Sequence, residues 1–355
     1  MANNYKITLL PGDGIGPDVL GQAVRVLEAV SKIHDISFSF DEFLIGGAGY
    51  DAKGTPLPNE TIESCLNADA VMLGAVGGPK WDSIEVSMRP EQGLLGIRKA
   101  LGLFANIRPV KVYPELANAS PIKNELIANT DLIVVRELTG GIYFGKRDTI
   151  DDYAYDTCEY KANEIQRICR FAANLAMTRK NKLTSVDKAN VLDTSRMWRK
   201  ECETLINNEF PNLSLDHMYI DAATMHLITR PSTFDVLVMD NMFGDILSDE
   251  TSVLSGSMGL LPSASLNENK NGIYEPIHGS APDIQGNDIA NPIACILSAA
   301  MMLEYSLDEQ AASDSIRNAV DQAISDGHRT IDIARNNEKP LKSSQLTNEI
   351  INNLN

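Results

Sequence analysis

Apolar residues follow two rhythms along this chain. Short β-branched runs at residues 5–10, 70–74, 132–138, 182–186, 215–220 and 235–239 predict strands, with continuous apolar character marking those covered on both faces. Between them, residues 18–32, 163–180, 195–208 and 291–305 carry apolar side chains at spacings of three and four, which predicts helices that bury one face. This alternation predicts an α/β fold. No repeat or low-complexity tract interrupts it. The Pro and Gly clusters at residues 11–17 and 74–79 and at Pro262 are too short for an interdomain linker.

Composition narrows the function class. A chain of 355 residues with 43% hydrophobic and 22% charged positions has room for more than one core, so two domains are expected. The longest apolar stretch, residues 293–303, falls short of a bilayer span, and the N-terminal residues carry neither a basic start nor a cleavage region. A cytoplasmic protein without membrane partners is therefore expected. Five scattered cysteines without a C-x-x-C pair suggest free thiols rather than a disulfide framework or zinc site. A net charge of -17 repels phosphate backbones and argues against nucleic acid. An anionic substrate would need a local basic pocket.

Several segments carry candidate chemistry. Gly12-Asp13-Gly14-Ile15-Gly16-Pro17 follows a strand as a dinucleotide-binding turn does, but its third glycine comes one residue early and no acidic strand end follows about 20 positions on. A tight strand-to-helix turn with Pro17 opening the helix is the better reading. In Phe243-Gly244-Asp245-Ile246-Leu247-Ser248-Asp249, a helix starting near Phe243 would set Asp245 and Asp249 on one face near its N-terminus. Such a pair repels itself unless a cation intervenes, and oxygen ligands suit magnesium or manganese. On spacing alone, two acids favoured by the helix dipole are the better reading. Asp221, just after a strand, is a candidate third carboxylate.

Arg136 lies inside an apolar strand and needs an anion, either a bound carboxylate or a structural acid near Glu137. Arg98 and Arg108, taken singly, read as solvated surface residues. Lys188 ends a strand, where α/β folds place chemistry. A lysine with a lowered pKa can serve as a base and a phenol such as Tyr143 as an acid, although either is as readily ordinary surface or core.

Taken together, these segments resemble the β-decarboxylating dehydrogenases, the family of isocitrate and isopropylmalate dehydrogenases, over nearly the whole chain. The resemblance rests on the residue 11–17 turn, Gly77-Gly78-Pro79-Lys80-Trp81-Asp82, residues 136–145, Ser185-Val186-Asp187-Lys188-Ala189-Asn190-Val191, residues 243–249 and His278-Gly279-Ser280-Ala281-Pro282-Asp283-Ile284. It implies two open α/β domains that are not of Rossmann type: a discontinuous cofactor-binding domain, 1–103 plus 256–355, and a dimerisation domain, 104–255, with an arm near 151–161. It implies a homodimer with shared active sites and no nucleic-acid partner. The same resemblance makes Tyr143 and Lys188 the catalytic pair. Arg98, Arg108 and Arg136 become substrate-carboxylate ligands, and Asp221, Asp245 and Asp249 become ligands of Mg2+ or Mn2+, with Asp221 also touching substrate. Lys188 and Asp221 would come from the partner subunit. NAD would contact Gly77, Gly78, Pro79, Lys80, Trp81, Glu91, His278, Gly279, Ser280, Ala281, Pro282, Asp283, Ile284 and Asn291.

The implied reaction is oxidation of 3-isopropylmalate and loss of carbon dioxide to give 4-methyl-2-oxopentanoate, in leucine biosynthesis. Relatives acting on isocitrate, homoisocitrate or tartrate share the charged residues, so substrate choice must lie elsewhere. Leu94, four residues before Arg98 and on the same helix face, offers an apolar wall to an isopropyl group, and Val191 would complete it. A non-catalytic regulatory homologue would have no need of the acids, Lys188 and Tyr143 together. A metal-dependent phosphohydrolase would release phosphate rather than form NADH.

Overall fold

The two rhythms become strands and helices over residues 3–335 and 338–355, which the computed structural model describes. In chain order the strands are β1 (Asn3–Gly12), β2 (Ile36–Glu42), β3 (Ala70–Ala75), β4 (Ala105–Lys111), β5 (Asp131–Glu137), β6 (Arg147–Ile150), β7 (Tyr153–Asp156), β8 (Lys182–Asp187), β9 (Ser214–Tyr219), β10 (Val236–Met239), β11 (Pro262–Leu266) and β12 (Gly272–Pro276). The chain divides into two units. One is discontinuous, running up to Leu103 and again from Ser257, and the other is Phe104–Gly256.

In the discontinuous unit the strand order is β2-β1-β3-β12-β11. The first four run parallel and β11 antiparallel to β12. This is not the 3-2-1-4 order of a Rossmann sheet. The helix Ile293–Tyr305 is buried from Ile293 to Leu303 and packs against β11, β12 and the helices Gly16–His34 and Gln310–Ser325. A helix apolar all round belongs in a core.

In the unit Phe104–Gly256 the order is β4-β5-β10-β8-β9. β4 is antiparallel to β5, and the remaining four are parallel. Strands β6 and β7 form a separate antiparallel hairpin, exposed along its whole length. The hairpin overlaps the first part of the segment 151–161, where an arm was expected, and begins before it. Asp151 adopts a left-handed conformation (φ 53) and makes the turn itself, so the strands flank it on both sides.

Candidate active site

The carboxyl ends of the parallel strands β5, β10, β8 and β9 carry the candidate residues of the second unit, where open α/β sheets generally bind ligands. Arg136 is the penultimate residue of β5, and Lys188 follows β8. Asp221 is the second residue of the helix Ile220–Thr229 after β9, and β10 leads through Asp240 into the helix Asn241–Glu250.

That last helix begins two residues earlier than Phe243, because Asp240 caps it by accepting the Phe243 N–H at 2.8 Å. Asp245 is thus in mid-helix and Asp249 in the last turn. The dipole disfavours an anion at a C-terminus, so it does not account for these acids. Guanidinium groups face them instead. Arg136 Nη1 pairs with Asp245, while Arg108 Nη1 donates to Ser248 Oγ at 2.6 Å and to Asp249 at 3.2 Å.

Arg108 is only 8% exposed, which corrects its expected surface role: it lies in β4, beside Asn106, whose Oδ1 accepts from Arg108 Nε. Arg136 meets Asp245, and Glu137, the next residue of β5, is engaged elsewhere. Consecutive strand residues point to opposite faces, and the Glu137 carboxylate instead accepts the N–H groups of Thr139 and Gly140 and an Arg167 N–H.

Tyr143 stands in the short helical turn Gly141–Tyr143 and donates its hydroxyl to Asp245 Oδ2 at 2.9 Å. Burial and the Asp245 carboxylate raise its pKa, so the phenol keeps its proton at neutral pH. Lys188 Nζ donates to Asp221 Oδ1 at 2.6 Å, and this bond lowers the Asp221 pKa. Among the described residues no three His, Cys, Asp or Glu side chains gather to hold a metal ion. Asp221 therefore does not join Asp245 and Asp249 within one chain. Val191 is exposed, on the turn that follows Lys188.

In the discontinuous unit, the ends of β1, β3 and β12 carry the segments expected to hold NAD. The residue 12–17 turn ties them together. Asp13 is 4% exposed, and its carboxylate accepts the N–H groups of Gly47, Ala48 and Gly77, each at 2.8 Å. Burial raises its pKa. Ile15 N–H donates to Ser280 O at 2.7 Å, and a Cβ on Gly14 would fall 2.0 Å from that oxygen. The glycines thus permit close approach of two loops.

Lys80 and Trp81 both bond to Asp51, which fixes the loop of Gly77, Gly78 and Pro79. Glu91 borders it, since a Cβ on Gly77 would lie 2.8 Å from Glu91 Oε1. His278 Nε2 is buried without a partner, and burial lowers the pKa of the ring. Gly279 is open, Ala281 is left-handed (φ 35), and Asp283 is exposed in the turn Pro282–Ile284. Asn291 spends both ends of its amide within the protein, on Ile293 N–H and Asp332.

Arg98 is also largely buried, against its expected surface role. Its Nη2 donates to Glu275 Oε1 at 2.6 Å, and its buried Nε has no partner. Leu94, half-buried one turn earlier, shares its helix, Pro90–Ala100. Sequence reasoning missed Glu275, Glu137, Asp240 and Asn241. An acid inside the apolar strand β12 is the same kind of signal that singled out Arg136.

Comparison with known proteins bears on the family and the fold. The isocitrate/isopropylmalate dehydrogenase family profile matches residues 6–350. The chain is 52% identical to 3-isopropylmalate dehydrogenase of Clostridium pasteurianum, over 99% of each. It is 53% identical to that of Anaeromyxobacter dehalogenans, again over 99% of each. Among solved structures, isocitrate dehydrogenase from Methylococcus capsulatus superposes with a TM-score of 0.86 at 34% identity, covering 98% of this chain and 99% of that one. A beta-decarboxylating dehydrogenase from Thermococcus kodakarensis gives 0.81 at 34% identity, covering 98% and 96%. This chain belongs to the isocitrate/isopropylmalate dehydrogenase family.

Proposed function

We propose that this protein catalyses the NAD-dependent oxidative decarboxylation of 3-isopropylmalate to 4-methyl-2-oxopentanoate and carbon dioxide, a step of leucine biosynthesis in the cytoplasm. The observation that carries the reading is the position of Asp245, whose carboxylate meets both the Arg136 guanidinium and the Tyr143 hydroxyl. One metal acid thereby joins a carboxylate-binding group and a proton donor. The curated relatives at 52% and 53% identity, named 3-isopropylmalate dehydrogenase, support the substrate.

Asp245 and Asp249, four residues apart on one helix with solvent on their open side, offer the oxygen donors that Mg2+ or Mn2+ takes. Asp221 completes the set from the partner chain of a homodimer. The exposed hairpin and the exposed Met225 and Ile246 on the helices bearing Asp221 and Asp245 fit such an interface. Held by these three acids, such a metal would supply a Lewis acid for the C2 hydroxyl and for the enolate charge. The pinned loops at residues 77–81 and 278–284 and the unpartnered His278 Nε2 would hold NAD, which would serve as the hydride acceptor.

The chain's own residues do the rest. Arg98, Arg108 and Arg136 hold the two substrate carboxylates; the partnerless Nε of Arg98 is a donor ready for one. Lys188 takes the hydroxyl proton as general base, steadied by Asp221. Once carbon dioxide has left, Tyr143 gives its proton to the enol carbon. Leu94 and Val191 border the isopropyl group, and Asp283 accepts from an adenosine ribose hydroxyl but repels a 2'-phosphate, which favours NAD over NADP.

The test is NADH formation by purified protein with isopropylmalate, isocitrate, homoisocitrate, tartrate and malate, with NAD or NADP and with or without chelator. Turnover strongest with isopropylmalate and NAD, lost on chelation, is expected. Faster turnover of isocitrate would overturn the substrate assignment.

A further inference from the structure

Beside the site lies a side chain to which the reaction as just described gives no part. Asn241 is 1% exposed, at the first position of the helix that carries Asp245 and Asp249. Its amide is used at both ends. Oδ1 accepts from Arg136 Nε at 2.9 Å, while Nδ2 donates to Leu138 O at 3.1 Å and Gly140 O at 3.2 Å. Those carbonyls lie on the stretch leading into the turn that presents Tyr143. The backbone N–H of Asn241 donates in turn to Tyr160 Oη at 3.0 Å, and Tyr160 closes over Gly140 and Gly141, where a Cβ would lie 2.5 Å from the ring and 2.7 Å from the hydroxyl oxygen respectively.

From these contacts we infer that Asn241 is a positioning residue that couples two events, seating of the substrate carboxylate on Arg136 and protonation of the product carbon by Tyr143. A planar amide fixes its acceptor and donor ends relative to one another. A guanidinium drawn toward a substrate carboxylate therefore moves the Asn241 amide, and with it the turn that aims the phenol. The amide suits this place because an arginine needs an acceptor and two carbonyls need a donor, and the amide offers one oxygen and two N–H groups without charge. The inference rests on the proposed reaction, in which Arg136 and Tyr143 act on one substrate.

Asn241→Asp separates the two halves. The carboxylate still accepts from Arg136, but its second oxygen faces the Leu138 and Gly140 carbonyls with no proton to offer. Expected are a KM for isopropylmalate within about twofold of the parent and a kcat at least about tenfold lower. Protonation becomes slow, so the isotope effect from deuterium at C2 shrinks while the solvent isotope effect grows. Should that variant fail to fold, Tyr160→Phe deletes only the hydroxyl that receives the Asn241 N–H, and the same split is expected at smaller amplitude. Equal proportional changes in KM and kcat, or unchanged isotope effects in a folded variant, would overturn the inference alone. A parent without isopropylmalate turnover would overturn the proposed reaction and this coupling with it.

Discussion

The Tyr143 hydroxyl donates to Asp245 at 2.9 Å, from the open end of a turn to the middle of a helix more than 100 residues later in the chain. The same carboxylate pairs with Arg136; burial and the Asp245 charge outweigh the guanidinium, so the phenol keeps its proton. Tyr143→Phe removes only that proton. Because general acid catalysis is worth roughly 10²–10⁴-fold, kcat should fall by that order while KM for isopropylmalate changes little. A phenylalanine variant with near-parental kcat would remove Tyr143 from the chemistry.

Asp13 is the buried acid on which Gly47, Ala48 and Gly77 converge. Asn in its place has a single acceptor oxygen and leaves at least one buried N–H unmet, which costs about 1–3 kcal/mol. The affected loop is the one expected to touch NAD, so Asp13→Asn should raise KM for NAD about tenfold and leave KM for isopropylmalate nearly unchanged. A variant whose two KM values rise together would separate this turn from cofactor binding.

Much of this was legible in the chain itself. Strand β5 could be read because Arg136 breaks an apolar run, and the helix after β10 because Asp245 and Asp249 fall four apart. The burial of Arg98 and Arg108 was not legible, since each depends on partners far away in sequence, Glu275 and Ser248. Asn241 gave no signal either, because an amide before a helix reads as a cap. Asp240 takes that role, and the resulting two-residue shift moves Asp249 from the favoured to the disfavoured end of the dipole.

Asp240 also makes stability depend on pH. Burial pushes its pKa up to about 6, above the roughly 4 of an unfolded carboxyl. The folded state therefore holds the Asp240 proton more tightly than the unfolded state, and the charge destabilises the fold above about pH 6. Asp240→Asn keeps a cap oxygen for the Phe243 N–H and carries no charge. The variant should be more stable than the parent at pH 8, by on the order of 1–3 kcal/mol, with the gap closing as pH falls from 6 to 4. Thermal melts of both proteins across that range test it, and a gap that does not vary with pH would contradict it.

The proposed sharing of active sites between subunits makes a separate prediction. Asp245→Ala and Asp221→Ala should each be nearly inactive as homodimers. In a mixed dimer both lesions fall in one site and the other is intact. Co-refolding equal amounts should restore roughly a quarter of the parental activity per chain, given random pairing and independent sites. Mixed dimers that form but stay inactive would place Asp221 outside the partner's site.

The central claim is that one site oxidises isopropylmalate and decarboxylates it. The direct measurement is to follow NADH, carbon dioxide and 4-methyl-2-oxopentanoate in a single reaction of the purified protein with isopropylmalate, NAD and Mg2+. Equal amounts of all three, abolished together by a chelator, are predicted. NADH without carbon dioxide, or turnover that a chelator does not touch, would contradict it.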